Sequence, residues 1–337
     1  GYTIADHRAD NLVIIFRGDI TNYFYIFGGK DERSQDLIQG ITLAGVFFDE
    51  VALMPESFVN QATGRCSVDG SKYWFNCNPD GPYHWFKTGW IDKREEKHLL
   101  YLHFTMDDNL SLSEKIKERY RSMYTGVFYR RYILGLWAMA EGIIYDMFDT
   151  AKHVISNLSE LTNANYYVSC DYGTQNATVF LLWCKDRLGR WVCCCEYYYS
   201  GRDEERQKTD TEYADDLEQW LDGIKPVKIV IDPSAASFIA ELKKRGYAIK
   251  KAKNDVLDGI RFVASLLNQG KIAISDQCPN TIKEFGSYIW DQKASERGED
   301  KPVKQHDHAM DAVRYFVFTM LGNRMAKIGS KAKTGIY

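Results

Sequence analysis

A mixed α/β fold in two parts is predicted by three observations. An almost wholly apolar strand ends in two acids near residue 50, three β-type runs follow one another between residues 166 and 199, and amphipathic helices alternate with short apolar strands from residue 209 onward. The 337 residues, 45% of them hydrophobic, suffice for two packed domains at roughly 150 residues each.

In the first half, residues 10–28 alternate apolar and polar side chains and read as two strands joined around Gly18-Asp19. The polar stretch KDERSQDLIQG reads as a short helix, and ITLAGVFFDEVALMP as a buried parallel strand ending at Asp49-Glu50, with a helical turn before Pro55. A short strand, Tyr73 to Phe75, leads into Asn76, Asn78 and the rigid turn Pro79-Asp80-Gly81-Pro82. HLLYLHFTM is expected as a further strand. Two helices then follow, starting near Ser113 and broken near Thr125-Gly126. Residues 140–164 lose any sustained period, so the domains are expected at 1–140 and 165–322, with a linker at 141–164 and a tail at 323–337.

In the second half, strands at Tyr166–Cys170, Thr178–Lys185 and Trp191–Tyr199, linked by short turns, predict an antiparallel meander. The remainder reads helix (TDTEYADDLEQWLDGI), strand (VKIVIDPS), helix (ASFIAELKKRG), strand (YAIKKA), helix (VLDGIRFVASLLNQG), strand (KIAISD) and two closing helices. That order builds a mixed sheet with helices packed on it.

Composition excludes several classes. A net charge of −3 rules out a surface coated in positive charge, so nucleic-acid binding would need local patches. Eight cysteines, three of them consecutive at Cys193, Cys194 and Cys195, include no C-x-x-C pair, which fits reduced thiols better than a zinc site or a disulfide scaffold. No apolar run reaches the length of about 20 residues that crosses a bilayer, and no signal peptide opens the chain, so a soluble intracellular protein is expected. Gly1-Tyr2-Thr3 in place of an initiating methionine reads as the start of a fragment.

Three aspartates in similar frames carry the chemistry. Asp171 ends the first strand of the meander, Asp232 ends a second buried strand, and Asp311 stands near the start of the last helix, where the helix dipole favours a carboxylate. Clustered carboxylates need a cation between them, and hard divalent ions prefer such oxygen donors. Magnesium or manganese, as two ions with Asp171 bridging and Asp232 and Asp311 completing one each, would suit phosphodiester hydrolysis. His308 lies one helical turn before Asp311 and could serve as ligand, proton shuttle or orienter. Asp307 reads as the helix N-cap.

CDYGTQNA, VIDPSAASF, KNDVLDGIRFVASLLNQGKIAIS and DHAMDAVRY, in that order, resemble the ribonuclease H-like nuclease domain of the large terminase subunits of tailed phages, over about Tyr166 to Leu321. The resemblance implies a ribonuclease H-like mixed sheet, preceded by the incomplete C-terminal part of a P-loop-type ATPase domain. It implies metal binding by Asp171, Asp232 and Asp311 with His308 beside them. GVFFDE resembles a Walker B strand, in which Asp49 would hold magnesium and Glu50 polarise water, and FNCNP resembles the motif that couples ATP hydrolysis to movement. No G-x-x-x-x-G-K-[ST] loop is present; Gly28-Gly29-Lys30 before Asp31 lacks its hydroxyl and spacing. Inefficient ATP hydrolysis by this polypeptide alone is therefore expected, with ATP serving the intact motor. The resemblance further implies double-stranded DNA, a capsid portal protein and a small terminase subunit as partners, no membrane, and the cytoplasm of an infected bacterium as the setting. Lys243, Lys244, Arg245, Lys250, Lys251 and Lys253, with Lys301 and Lys304, are candidate phosphate contacts. A transposase or junction resolvase on the same core, and a non-catalytic packaging or docking module, are the competing readings.

Overall fold

The computed structural model describes residues 1–29, 31–156, 165–173 and 176–322. Residues 157–164 of the expected linker, the whole expected tail 323–337, and Lys30, Thr174 and Gln175 within the quoted motifs lie outside the described residues. Two compact units emerge: Gly1–Asp80 with His84–Leu102, and Gly81–Tyr83 with the chain from His103 onward. Residues 103–140, read from sequence as part of the first domain, thus cluster with the second unit.

In the first unit, β1 (Thr3–His7), β2 (Leu12–Arg17) and β3 (Ile20–Tyr25) form an antiparallel sheet in that order, the β2–β3 turn taken by Gly18 at φ +58. Sequence alternation anticipates β2 and β3 but not β1. Next, β4 (Gly45–Phe48) pairs in parallel with β5 (Lys72–Phe75), with α1 (Glu56–Gly64) between them in the chain. Phe48 stacks on Phe75 at 5.1 Å between ring centroids and meets Phe58 of α1 edge-on at 6.5 Å. The strand expected to be fully buried is covered on one face only. Phe47 is 60% exposed, because among the described residues β5 is its sole partner and α1 packs on the Phe48 side. HLLYLHFTM forms no strand; Leu100, Leu102 and Phe104 are exposed, and no neighbouring strand pairs with them among the described residues.

The second unit begins with α2 (Glu114–Met123) and α3 (Gly126–Tyr132), broken at Thr125-Gly126 as the sequence predicts. After α4 (Thr150–His153) and β6 (Val154–Ile155) come β7 (Tyr167–Asp171), β8 (Ala177–Lys185), β9 (Trp191–Ser200), α5 (Asp210–Leu221), β10 (Lys228–Ile231) and α6 (Ala236–Lys244). The remaining elements are β11 (Ile249–Lys251), α7 (Val256–Asn268), β12 (Ile272–Ser275), α8 (Pro279–Ser287), α9 (Gln292–Glu296) and α10 (His308–Phe316). Among the described residues they build a seven-stranded sheet in the order β11-β10-β7-β8-β9-β12-β6. The β7-β8-β9 meander is antiparallel, as expected, and every other neighbouring pair is parallel.

Strand parity sorts the two faces of this sheet. Val168, Cys170, Phe180, Leu182, Ile229 and Ile231 join one apolar cluster with α5 and α6. Tyr167, Val179, Leu181, Trp183 and Val230 join the other, with α7, α8 and α10. On that second face Phe316 of α10 stacks on Trp183 at 4.5 Å with rings 9° from parallel, both fully buried. Each such ring contributes on the order of 2–3 kcal/mol of apolar burial, which seats α10 across the middle strands.

Candidate active site

Parity also aims the two strand-end acids. Asp171 continues the Tyr167, Ser169 series and Asp232 the Val230 series, so both carboxylates leave the sheet on the α10 face. Ile231 lies opposite Cys170 in the parallel β7–β10 ladder, which puts Asp232 beside Asp171, about 5 Å apart by strand spacing. Their strands point the same way and end together, so the acids share the carboxyl end of the sheet. The last helix brings the third acid, since Asp311 sits in the first turn of α10.

Each carboxylate holds its own donors. His308 Nδ1 lies 2.9 Å from Asp171 Oδ2. Arg314 donates to Asp311 Oδ1 at 2.8 Å, and the Lys304 ammonium stands 3.3 Å from Asp311 Oδ2 and 3.2 Å from Asp307 Oδ2. Asp232 Oδ2 accepts from the Tyr315 hydroxyl and from Asn254 Nδ2, both at 2.9 Å, while Oδ1 accepts from the Ser234 N–H at 2.7 Å. A cavity of about 370 Å³ opens over Asp171, His308, Asp311 and Lys304. Asp232 is not in its lining, being turned toward Tyr315 and Asn254.

Electrostatics follow from burial and partners. Burial pushes the Asp171 carboxyl up to about 6, and the neighbouring Asp311 charge adds to this while the His308 hydrogen bond opposes it. Burial disfavours the charged imidazole of His308, but the hydrogen bond and charge of Asp171 outweigh it and raise its pKa. Asp232 is held below the usual carboxylate range although burial pushes the other way, because Ser234 and Tyr315 donate to its anion. Lys304 is raised despite burial, its cation held by Asp311 and Asp307.

A hard divalent cation suits the carboxylate oxygens of Asp171, Asp232 and Asp311, the cavity lining among the described residues carrying no cysteine. The Lys304 ammonium between Asp311 and Asp307 shows that the acids already gather positive charge. Among the described residues, however, no three His, Cys, Asp or Glu side chains stand as a ready cage. Asp232 would have to release Tyr315 or Asn254 to join Asp171 and Asp311.

Several contributors were not legible locally. Asp307 occupies the N-cap of α10, as expected, but its side chain makes no cap hydrogen bond. Glu284 of α8 accepts from the Ala309 and Met310 N–H groups instead, at 2.7 and 3.2 Å, and burial pushes its carboxyl up to about 7 against those bonds. Its one sequence signal is a charge on the apolar face of α8, between Thr281, Phe285 and Tyr288. Arg314 is buried against Asp311 and reaches the Asn254 carbonyl at 3.2 Å. Gly259 of α7 makes room for it; a Cβ there would lie 2.5 Å from Arg314 Cγ.

Of the expected basic contacts, Arg245 is engaged by Asp215, Glu218 and Glu241, and Lys301 by Glu299. In the first unit, Asp49 and Glu50 are exposed at the end of β4, with Glu50 in the left-handed region at φ +58. Asn76 of FNCNP fixes that turn: its side-chain oxygen accepts from the Glu50 N–H at 2.8 Å and its carbonyl from the Val51 N–H at 2.9 Å.

A seven-stranded mixed sheet with helices on both faces and acids at one end defines a ribonuclease H-like domain. The terminase RNaseH-like domain family matches residues 195–319, and the N-terminal family of the T4-like terminase large subunit matches residues 2–152. The chain is 63% identical to the large terminase of the thermophilic bacteriophage D6E, with a TM-score of 0.87 over 95% of this chain and 79% of that one. A structure of that D6E protein in complex with ADP aligns at 62% identity and a TM-score of 0.85, over 95% of this chain and 80% of that one. Similarity also extends to the terminase large subunit of Escherichia phage T5, 24% identical over 291 residues, which covers 82% of this chain and 65% of the T5 protein's length. This chain belongs to the terminase large subunit family of phages. Among the described residues no helix is long and apolar enough to cross a membrane.

Proposed function

We propose that the second unit is an endonuclease that cleaves double-stranded concatemeric DNA during packaging, with little sequence preference. The observation that supports this reading is that Asp171 and Asp232 stand at adjacent strand ends on one face of the sheet and Asp311 on the helix packed over that face. Asp171, Asp232 and Asp311 would hold magnesium or manganese, two ions in the full site. Bound there, such ions supply positive charge to the phosphate oxygens and acidify an attacking water.

The chain's own groups have separable tasks. Asp171 engages His308 at Nδ1 and so leaves Nε2 as the nitrogen able to carry a proton toward the leaving oxygen. Lys304, held by Asp311 and Asp307 on the cavity wall, is placed to meet a phosphate as a point charge. Arg314, buried and salt-bridged, holds Asp311 in place. In the first unit, Asp49 and Glu50 would serve as magnesium holder and water polariser within the intact motor, and residues 1–337 alone would hydrolyse ATP inefficiently. The capsid portal protein and the small terminase subunit are the proposed partners, in the cytoplasm of the infected host.

Nicking of supercoiled plasmid with Mn²⁺ tests the nuclease. Wild type is expected to cut, and Asp171→Ala to lose roughly 1,000-fold or more, on the order of 4 kcal/mol of barrier. Cleavage by neither protein would favour the non-catalytic docking module.

A further inference from the structure

We propose that Glu284 is a positioning residue of the carboxylate site, holding the first turn of α10 so that His308 and Asp311 stand where Asp171 can use them. The inference rests on the nuclease reading for its consequence and on hydrogen-bond geometry for its cause.

A helix start leaves backbone N–H groups without intrahelical acceptors. In α10 these include Ala309 and Met310, the two residues between His308 and Asp311. The local N-cap, Asp307, does not serve them with its side chain, which faces Lys304 instead. Glu284 Oε2 accepts from both, and its Oε1 accepts from the Tyr198 hydroxyl of β9 at 2.9 Å. Glu284 is 4% exposed, so no water competes for these bonds from outside.

The helix that carries Glu284 is itself located in the same way. Cys278, at the N-cap of α8, makes no side-chain cap bond. Glu196 of β9 accepts from the Asn280 and Thr281 N–H groups at 2.7 and 2.8 Å and from the Thr281 hydroxyl at 2.7 Å. Glu196 and Tyr198 are two residues apart and so share one face of β9. The strand therefore grips α8 at its N-terminus through Glu196 and again at Glu284 through Tyr198, and α8 passes that placement to α10. Downstream, α10 remains seated by Phe316 on Trp183, so removing Glu284 should loosen the first turn without unseating the helix. Misplacing a reacting group by about 1 Å can cost on the order of 100-fold in rate.

The test uses the full chain as wild type, Glu284→Ala, Glu284→Gln and Tyr198→Phe, with three readouts: amide hydrogen exchange, Mn²⁺ affinity by calorimetry, and Mn²⁺-dependent plasmid cleavage. Glu284→Ala is expected to speed exchange at residues 309–311 about tenfold or more with β7 and β8 unchanged, since a lost cap typically weakens a helix start by about this factor. It should weaken Mn²⁺ binding and lower kcat with KM for DNA little changed. Glu284→Gln, whose amide oxygen can take both N–H groups, should restore all three. Tyr198→Phe should move them in the same direction by less, and it decides the matter if Glu284→Ala does not fold. Wild-type exchange at 309–311 in Glu284→Ala, or faster exchange there with unchanged Mn²⁺ affinity, overturns the proposal. A wild-type chain that does not cut removes the nuclease reading alone, because exchange and Mn²⁺ affinity still decide the positioning role.

Discussion

The two units treat their acids in opposite ways. Asp49 and Glu50 stand exposed at the end of a two-stranded parallel pair, where Asn76 accepts from the Glu50 and Val51 N–H groups. Asp171 and Asp311 stand at one end of a seven-stranded sheet, covered by α10 and partnered by His308, Arg314 and Lys304. The contrast extends to the aromatic packing. In the first unit Trp74 is 53% exposed, whereas Trp183 in the second is fully buried under Phe316. An acid can be placed by one hydrogen bond; the covered face of the second site goes further and raises the proton affinity of Asp171.

Trp183→Ala should break this contrast most sharply. It is expected to cost about 3–5 kcal/mol in denaturant unfolding of the second unit, against well under about 1 kcal/mol for Trp74→Ala. Equal costs would overturn the contrast between the two tryptophans. Next comes the pH dependence of Glu284. Its folded pKa, about 7, lies above the ordinary glutamate value of 4.5, so its contribution to stability is full below about pH 4.5 and is lost as pH rises through about 7. Wild type should therefore gain roughly 2–3 kcal/mol on acidification from about pH 8 to 5 that Glu284→Gln does not gain. Matching urea midpoints for the two proteins at both pH values would refute this. Gly259→Ala should cost about 1–3 kcal/mol and disturb Asp311, since the added methyl meets the buried Arg314 side chain. Thermal unfolding, with Gly286→Ala as the control at an open position, measures it. The smallest effect is expected at Asn76→Ala, about 0.5–1.5 kcal/mol, read as faster amide exchange at Glu50.

Local sequence carried most of the sheet, because the strands from β7 to β12 read as β-type or apolar runs with polar exits; β6 lies in the stretch read as a linker. The exits are also where the acids lie, so Asp171 and Asp232 were legible from their strands and Asp311 from its helix start. What escaped were features that depend on partners far along the chain. The strand expected at HLLYLHFTM needs a neighbour to pair with and finds none among the described residues. Glu284 finds its donors 25, 26 and 86 residues away, and Tyr315 meets Asp232 across 83 residues. Nothing in the spacing around Asp307 told that a neighbouring helix would cap α10. Arg245, legible as part of a basic run, turned out to be claimed by three acids, two of them on α5.

The shared facing of Asp171 and Asp232 bears on how this domain can vary in length. Removing one residue from β7 or β10 would swing the strand-end acid toward α5 and α6, burying it among apolar side chains, while removing two would keep the facing and merely shorten the strand. A library of deletions through these strands should therefore survive in steps of two, and length changes of either parity should collect in the turns between them.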